Sequence, residues 1–259
     1  MPFLLLARST AFSYVAHRGN ANTKTVGTTL AVTVTGTIAA GALVIARAVT
    51  DNVGASAGDT TSFSVADSQG NIYTRLAEHT QTGGSAVDGV TIGLFYSVLS
   101  TALTGSTDTI TLTSANVPAR AIAVEQFSTA GLDGVTAATG ATGTDTAPSV
   151  TNSGLASKTY LMLGETGWEH YTTDFSAGDA DYTAYATEVF GTAGGGPVAN
   201  VAAAGGYRVG TLTGDTFAAT LANAADWACV IVGLYEAAGA PSAQSIAPMM
   251  MHYAALRRT

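Results

Sequence analysis

One stretch of the sequence occurs twice, and this duplication limits the folds available to the chain more than any other feature. Residues 103–131 read LTGSTDTITLTSANVPARAIAVEQFSTAG, and residues 212–239 read LTGDTFAATLANAADWACVIVGLYEAAG. Both copies open with Leu-Thr-Gly, carry an acidic residue soon afterwards (Asp108 and Asp215), and close on an apolar segment. Because a repeated block buries its apolar face against its neighbour, the duplication predicts two equivalent structural units.

The composition indicates a folded protein with a sizeable core. Of the 259 residues, 47% are hydrophobic and 11% are charged, whereas disordered chains combine few apolar residues with high charge. An all-β chain of this length is commonly one domain. The single cysteine, Cys229, lies in the apolar run 227–234, so we expect a buried, unreactive side chain.

Alternation of polar and apolar residues predicts short strands along the whole chain. Residues 28–35 (TTLAVTVT) alternate with period two, and residues 42–50 (ALVIARAVT) predict a second strand that completes a hairpin. A second hairpin is predicted around 67–71 (DSQGN), whose residues suit a tight turn with positive φ. The other strands are predicted at 61–66, 72–78, 89–100, 107–113 and 120–128, and then at 147–151, 159–165, 180–189, 198–208, 216–221 and 227–236.

These patterns predict an all-β protein, an antiparallel two-layer β-sandwich of jelly-roll-like form built from two degenerate repeats. The last strand of each repeat is apolar on both faces and therefore needs cover on both sides. This favours one body, with the repeats related by a pseudo-twofold axis, over two tandem domains. The predicted divisions are an N-terminal arm (1–24), the body (25–239, with repeats at about 25–131 and 147–239) and a C-terminal arm (240–259).

The charge distribution separates the body from its ends. All 18 acidic residues lie in the body, while half of the ten basic residues lie in the ends. An acidic body argues against nucleic-acid binding, which needs basic clusters. No apolar run approaches the roughly 18 residues of a membrane helix, so no membrane partner is expected. The opening residues, MPFLLLARSTAF, lack the basic start and the long apolar block of a signal peptide, so we expect them to be retained.

One segment collects functional groups that suit sugar chemistry. Glu165 and Glu169 flank Trp168, and Tyr171 follows. Two carboxylates about 5–10 Å apart serve as acid and base in glycoside hydrolysis, and Trp168, Tyr171, Tyr182 and Tyr185 are suited to stacking on sugar rings. The more ordinary interpretation, which we favour, is an exposed loop equivalent to 51–60, with the aromatic side chains filling the core and interfaces.

Other catalytic and metal-binding patterns are weak. Asp174, Asp179 and Asp181 offer oxygen ligands, but their spacing does not match an EF-hand. The sequence has no G-x-S-x-G elbow, and GGGP at 194–197 is not followed by the Lys-Ser/Thr of a phosphate loop. The four histidines lack zinc-ligand spacing: His17, His79, His170 and His252. We therefore predict no catalytic residue, no metal site, no cofactor and no enzymatic activity.

The body resembles the Thr/Gly/Ala-rich β-sandwich proteins encoded among the virion structural genes of tailed bacteriophages. The resemblance covers residues 25–239 and rests on TLAVTVTGTIAAGALVIARAV, SVADSQGNIYTRLAE, VTIGLFYSVLS and the two forms of the repeat. The pattern D-S-x-G-N-x-Y-T occurs at 67–74 and is absent from the second copy. The resemblance implies a minor capsid, decoration or minor tail protein of the virion, with no catalytic residue to carry over.

The two ends combine apolar and basic residues without any acid, which suggests docking onto acidic neighbours. We expect partners to be further copies of the chain in a homo-oligomer such as a trimer, other virion proteins, and a host-surface glycan. The alternative function is a secreted carbohydrate-binding or glycan-cleaving sandwich, and the alternative for the ends is that one packs back on its own body. The predicted interface residues are Phe3, Leu5, Arg8, Phe12, Tyr14, Arg18, Met249, Met250, Met251, Tyr253, Arg257 and Arg258.

Overall fold

The computed structural model describes residues 12–52, 63–82 and 88–236. All strand pairings within this part of the chain are antiparallel, and the predicted all-β sandwich class is confirmed. The jelly-roll connectivity remains a prediction. The strands of the first copy are β1 (Ser13–Thr23), β2 (Gly27–Thr33), β3 (Leu43–Asp51), β4 (Ser64–Asp67), β5 (Thr74–Thr82), β6 (Gly89–Val98), β7 (Thr109–Val117) and β8 (Arg120–Ser128).

The second copy has longer strands and two short 3-10 turns, Thr172–Asp174 and Pro197–Ala199. The predicted strands 147–151 and 159–165 are one continuous 21-residue strand, which has an irregularity in pairing between Ser153 and Lys158. The strands are β9 (Leu132–Val135), β10 (Thr139–Gly143), β11 (Ser149–Glu169), β12 (Phe175–Ala177), β13 (Thr183–Gly191), β14 (Val201–Ala218), β15 (Thr220–Leu221) and β16 (Trp227–Glu236).

Two large sheets have the same strand order. The first is β1-β8-β3-β6-β5 and the second is β10-β16-β11-β14-β13, with β9 also paired to β16. If the five strands of each sheet are numbered along the chain, their order across the sheet is 1-5-2-4-3 in both cases. This shared topology supports the predicted duplication. By this order β1 and β10 occupy equivalent positions in the two sheets. The first strand of each copy therefore lies outside the predicted repeat boundaries.

A smaller layer covers the outer face of each large sheet. In the first copy it is the sheet β2-β7-β4. In the second copy the start of β11 pairs with the end of β14, and β12 pairs with β15. The dipeptide Phe-Ser occurs at 63–64 and again at 175–176, which fits this equivalence because each pair lies at the start of the matching short strand, β4 or β12. The sandwich therefore has more layers than the two predicted.

The two large sheets pack face to face through equivalent faces. Leu43, Ile45 and Val49 of β3 meet Leu161 and Leu163 of β11 in one buried cluster. Strand contacts across the interface come in matched pairs. β5 contacts β16, and its equivalent β13 contacts β8; in the same way β6 contacts β11, and its equivalent β14 contacts β3. A pseudo-twofold arrangement accounts for both observations, because it brings the same face of each copy to the centre.

Each copy also has a core of its own. In the first copy, Val44, Ala46 and Val124 pack beneath the small sheet, and in the second copy Met162 and Trp168 belong to the corresponding cluster. As a result, β8 is buried from Arg120 to Phe127 and β16 from Trp227 to Leu234. The prediction that the final strands need cover on both sides is confirmed, and Cys229 is fully buried among them.

Several sequence-based boundaries differ from the structure. Residues 13–23, assigned to the N-terminal arm, form the edge strand β1 paired with β8, and residues 132–146, left between the two predicted repeats, contain β9 and β10. The segments 28–35 and 42–50 do not form a hairpin, since β2 and β3 belong to different sheets. Edge strands bury only part of their surface, so β1 lacks the apolar repeat that made the inner strands recognisable.

The second predicted hairpin does not form, because β4 and β5 belong to different sheets, but the tight turn at 67–71 is confirmed in detail. The Asp67 carboxylate accepts hydrogen bonds from the backbone N–H groups of Gln69 and Asn71, and Gly70 has φ of 77°. The Asn71 side chain then bonds the backbone of Thr101 through both its oxygen and its nitrogen. The D-S-x-G-N pattern therefore fastens the β4–β5 turn to the loop after β6 and has a structural role.

The shared central core leads to a prediction for the isolated first copy. Residues 12–131 expressed alone would expose the apolar face that includes Leu43, Ile45 and Phe127. We expect this fragment to be aggregated or molten, with strong binding of a hydrophobic dye and poor NMR dispersion. Residues 12–236, as the matched control, should give a dispersed spectrum. A dispersed spectrum from the fragment would show that the copies are independent domains.

Candidate functional site

The carboxylates proposed as an acid and base pair do not face each other. Glu165 and Glu169 lie on β11, not in a loop, and both are buried. Residues four apart on one strand are separated by about 13 Å at roughly 3.3 Å per residue, which exceeds the spacing required for glycoside hydrolysis. The expectation of an exposed loop is also wrong here, because the strand continues through the apolar centre of the sheet.

Glu165 binds the buried side chain of Arg47 instead. Arg47 Nε donates to Glu165 Oε2 at 2.8 Å and Arg47 Nη2 donates to Glu165 Oε1 at 3.0 Å, a bidentate contact between the two copies. Arg47 Nη1 also donates to Glu125 Oε1 at 3.1 Å. Burial raises the pKa of Glu165 to about 7, while the guanidinium opposes that rise. We name Arg47, Glu125 and Glu165 the central ion cluster.

The remaining donors of Arg47 are also occupied. Nη1 and Nη2 each donate at 3.0 Å to a backbone carbonyl, of Thr187 and Glu188 respectively. The guanidinium lies over the rings of Tyr185 and Phe190, 4.2 Å and 4.8 Å from their centroids. All five N–H groups of the guanidinium therefore have acceptors. The arrangement is a closed structural contact, with no group left to act on a substrate.

Three of the predicted interface residues lie in the described part of the chain, and all three pack within it. Phe12 is buried in the central cluster. Tyr14 donates to Glu125 Oε2 at 2.9 Å and stacks on Tyr207 of the second copy. Arg18 donates to Gln126 Oε1 at 2.7 Å. This part of the N-terminal segment therefore packs on its own body, as the alternative for the ends expects, and its contact with other subunits stays a prediction. The other predicted interface residues lie outside the described residues.

The aromatic side chains considered for sugar stacking are mainly core residues, as the ordinary interpretation expects. Trp168 is fully buried, and Tyr182 and Tyr185 are buried as well. Trp168 donates from Nε1 to the carbonyl of Tyr171 and stacks on Phe175. Tyr171 is partly exposed and donates to the carbonyl of Gly195. Among the described residues, these aromatic side chains do not form an open platform for a sugar.

The three aspartates considered as calcium ligands have different surroundings. Asp174 contacts His170 and accepts from Asn223 Nδ2 at 2.6 Å. Asp179 accepts from the backbone N–H of Ala218 at 2.9 Å, and Asp181 is exposed. Among the described residues, Asp174, Asp179 and Asp181 therefore do not form a group that could hold a calcium ion.

A different acidic group forms at one end of the central interface. Asp88, Glu169 and Asp226 each place a carboxylate oxygen within 4.8 Å of the others, and we name these three residues the acidic cluster. Asp88 directly precedes β6 of the first copy, whereas Glu169 ends β11 and Asp226 directly precedes β16. Sequence reasoning singled out Glu169 but could not join it to the other two, because the three come together only when the sheets stack.

Burial and like charge both act on the acidic cluster. The pKa of Glu169 is raised to about 8 by burial first, and further by Asp88, Asp226 and Asp51, while the Gly89 N–H opposes the rise. Burial also raises the pKa of Asp226. Both shifts reflect carboxylates brought together and partly buried at the junction of the two copies.

No helix among the described residues is long and apolar enough to cross a membrane. Comparisons with protein-family models and with curated protein sequences found no match to this chain.

Proposed function

We propose that this chain is a structural protein of a bacteriophage virion, of the minor tail, minor capsid or decoration type, which acts by binding neighbouring subunits and not by catalysis. The sequence resemblance of residues 25–239 supports the virion assignment. The partners that fit are further copies of the chain and other virion proteins. The body would serve as a rigid block, because its two copies share a continuous core and the central ion cluster.

The observation that carries this proposal is where the two ends join the body. Ser13, at the start of β1, pairs with Ser128. Glu236, at the end of β16, accepts hydrogen bonds from Thr129 Oγ1 at 2.8 Å and from the Ala130 N–H at 2.7 Å. Both ends of the body therefore meet at the loop after β8. The segments 1–11 and 237–259 continue from one corner, which lets them contribute to a single contact.

The composition of these segments suits a neighbouring body. Their apolar residues supply area to bury, and their basic residues are Arg8, Arg257 and Arg258. The described body is strongly acidic, so a second copy offers a surface of opposite charge. Apolar burial would supply most of the affinity, while the charges would set orientation and the rate of association.

We predict that the full chain forms oligomers in solution whereas residues 12–236 form a folded monomer. Light scattering coupled to gel filtration measures both masses, and circular dichroism checks that the shorter chain is folded. The deletion must stop at residue 11, because removing residues through 18 would destroy half of β1. Reversing Arg8, Arg257 and Arg258 to Glu in the full chain should weaken assembly, whereas Lys158→Glu, on the exposed part of β11, should not.

Oligomers formed by residues 12–236 would show that the end segments are not the assembly device. The virion assignment has its own test, which is detection of the chain by mass spectrometry in purified particles of the phage that encodes it. Absence from those particles would overturn the location even if the chain assembles.

A further inference from the structure

The acidic cluster has the geometry of a cation site. Oxygen ligands that share one Ca²⁺ at 2.3–2.6 Å lie no more than about 5 Å apart. The three carboxylate oxygens of Asp88, Glu169 and Asp226 all lie within 4.8 Å of one another. Asp88 and Asp226 are partly exposed, so an ion can reach the cluster from solvent, while Glu169 forms its buried side.

An unpartnered oxygen points independently to a missing ligand. The Glu169 side chain is only 4% exposed. Its Oε2 accepts a hydrogen bond from the Gly89 N–H at 2.7 Å, but its buried Oε1 has no hydrogen-bond partner. An unpaired buried carboxylate oxygen is costly. A bound cation satisfies this oxygen and at the same time neutralises the two partly exposed carboxylates beside it.

Acidic residues around Glu169 favour the binding of a cation. The charged groups that act on Glu169 are Asp88, Asp226 and Asp51, all acidic. Asp51 is buried behind the cluster and is itself influenced by Lys24 and Arg120. These two cations offset part of the charge of Asp51, while their hydrogen bonds go to backbone carbonyls: Lys24 binds the carbonyl of Gly194, and Arg120 binds the carbonyls of Val117 and Thr25.

We propose that Asp88, Glu169 and Asp226 bind one Ca²⁺ ion, which ties the first copy to the second at the end of their shared core. Calcium suits this group because it takes six to eight oxygen ligands in flexible geometry, and water and backbone carbonyls can complete the shell. Magnesium demands a regular octahedron and keeps most of its waters, and zinc prefers nitrogen and sulfur ligands. The site rests on the geometry alone and is independent of the proposed virion function.

The backbone around the cluster makes binding cooperative with the packing of the two copies. The Glu169 N–H donates to the Asp226 carbonyl at 2.9 Å, which holds β11 and β16 together. The Glu169 carboxylate reaches across to Gly89 in the first copy. An ion bound here requires both copies in place, so it is held by the folded protein and not by the unfolded chain. Calcium should therefore raise the melting temperature.

The first test uses the full chain without substitution. At a hundredfold excess of Ca²⁺ over its dissociation constant, the melting temperature should rise by about 5–10 °C relative to the chain in EDTA. Isothermal titration should give one site per chain. The same concentration of Mg²⁺ should give less than a third of the shift. Absence of both a calcium-dependent shift and a binding isotherm would overturn the proposal.

Variants then locate the ion. Glu169→Gln should abolish the calcium-dependent shift, and Asp226→Asn should weaken binding at least tenfold. Asp133→Asn, which neutralises an exposed carboxylate on β9, is the matched control and should respond as the natural chain does. Without calcium, Glu169→Gln should melt no lower than the natural chain, because it removes like-charge repulsion. An unchanged calcium response in both cluster variants would place the ion elsewhere and overturn the assignment.

Discussion

Replacing Arg47 by methionine is expected to lower the free energy of unfolding by about 3–5 kcal/mol, because it leaves a buried charge without its partner. Glu165 and Glu125 are both fully or almost fully buried, and Arg47 is the cation that contacts them both. Urea unfolding followed by fluorescence measures this change. Lys158→Met, which removes an exposed cation from the same strand as Glu165, should change the free energy of unfolding by less than about 0.5 kcal/mol.

The double variant Arg47→Met with Glu165→Met should recover much of the loss, because a buried ion pair is often replaced by apolar residues without net cost. Arg47→Lys should not recover it, since lysine has three donors where five are used. A loss below about 1 kcal/mol in Arg47→Met would show that water reaches the carboxylates and that the central ion cluster is not sealed.

The effect of Arg47→Met should depend on pH. Burial raises the pKa of Glu165 above that of the unfolded chain, and Arg47 counteracts this rise. A carboxyl with a raised folded pKa stabilises the protein below its unfolded pKa, and that contribution is lost as pH rises towards the folded pKa. Without Arg47 the folded pKa rises further, so the loss should be larger at pH 8 than at pH 5. An equal loss at both values would indicate a packing defect instead.

Val124→Asp is expected to unfold the body. Val124 is fully buried in β8, between the small sheet and the central interface. An unpaired charge at such a position costs several kcal/mol, against a total stability of roughly 5–15 kcal/mol. Circular dichroism and gel filtration of the expressed variant provide the measurement. Val15→Asp is the matched control, because Val15 is 47% exposed on β1, and it should fold normally.

A folded, monodisperse Val124→Asp variant would mean that the layer over β8 can open and admit water. The result would also weaken the argument for a single rigid block, since both the outer core and the central core depend on strands covered on two faces.

The sequence by itself determined the all-β fold class and the inner strands, and it predicted a duplication that the matching strand order of the two large sheets supports. β8 and β16 were located to the residue, because strands buried on both faces form continuous apolar runs. The turn at 67–71 was recognised because Asp, Gly and Asn act within a few residues of one another. Local chemistry and periodicity decide such features, so they can be predicted from the sequence alone.

Only the tertiary structure decided how these elements are used. The edge strand β1 has no apolar period to mark it, and its partner β8 lies a hundred residues away along the chain. Arg47 and Glu165 carry no local signal of pairing, and neither do Asp88, Glu169 and Asp226. Each of these groups is created by stacking one copy on the other. The physical reason is that electrostatic partners are set by distance in space, and sequence periodicity reports only which face of a strand is buried.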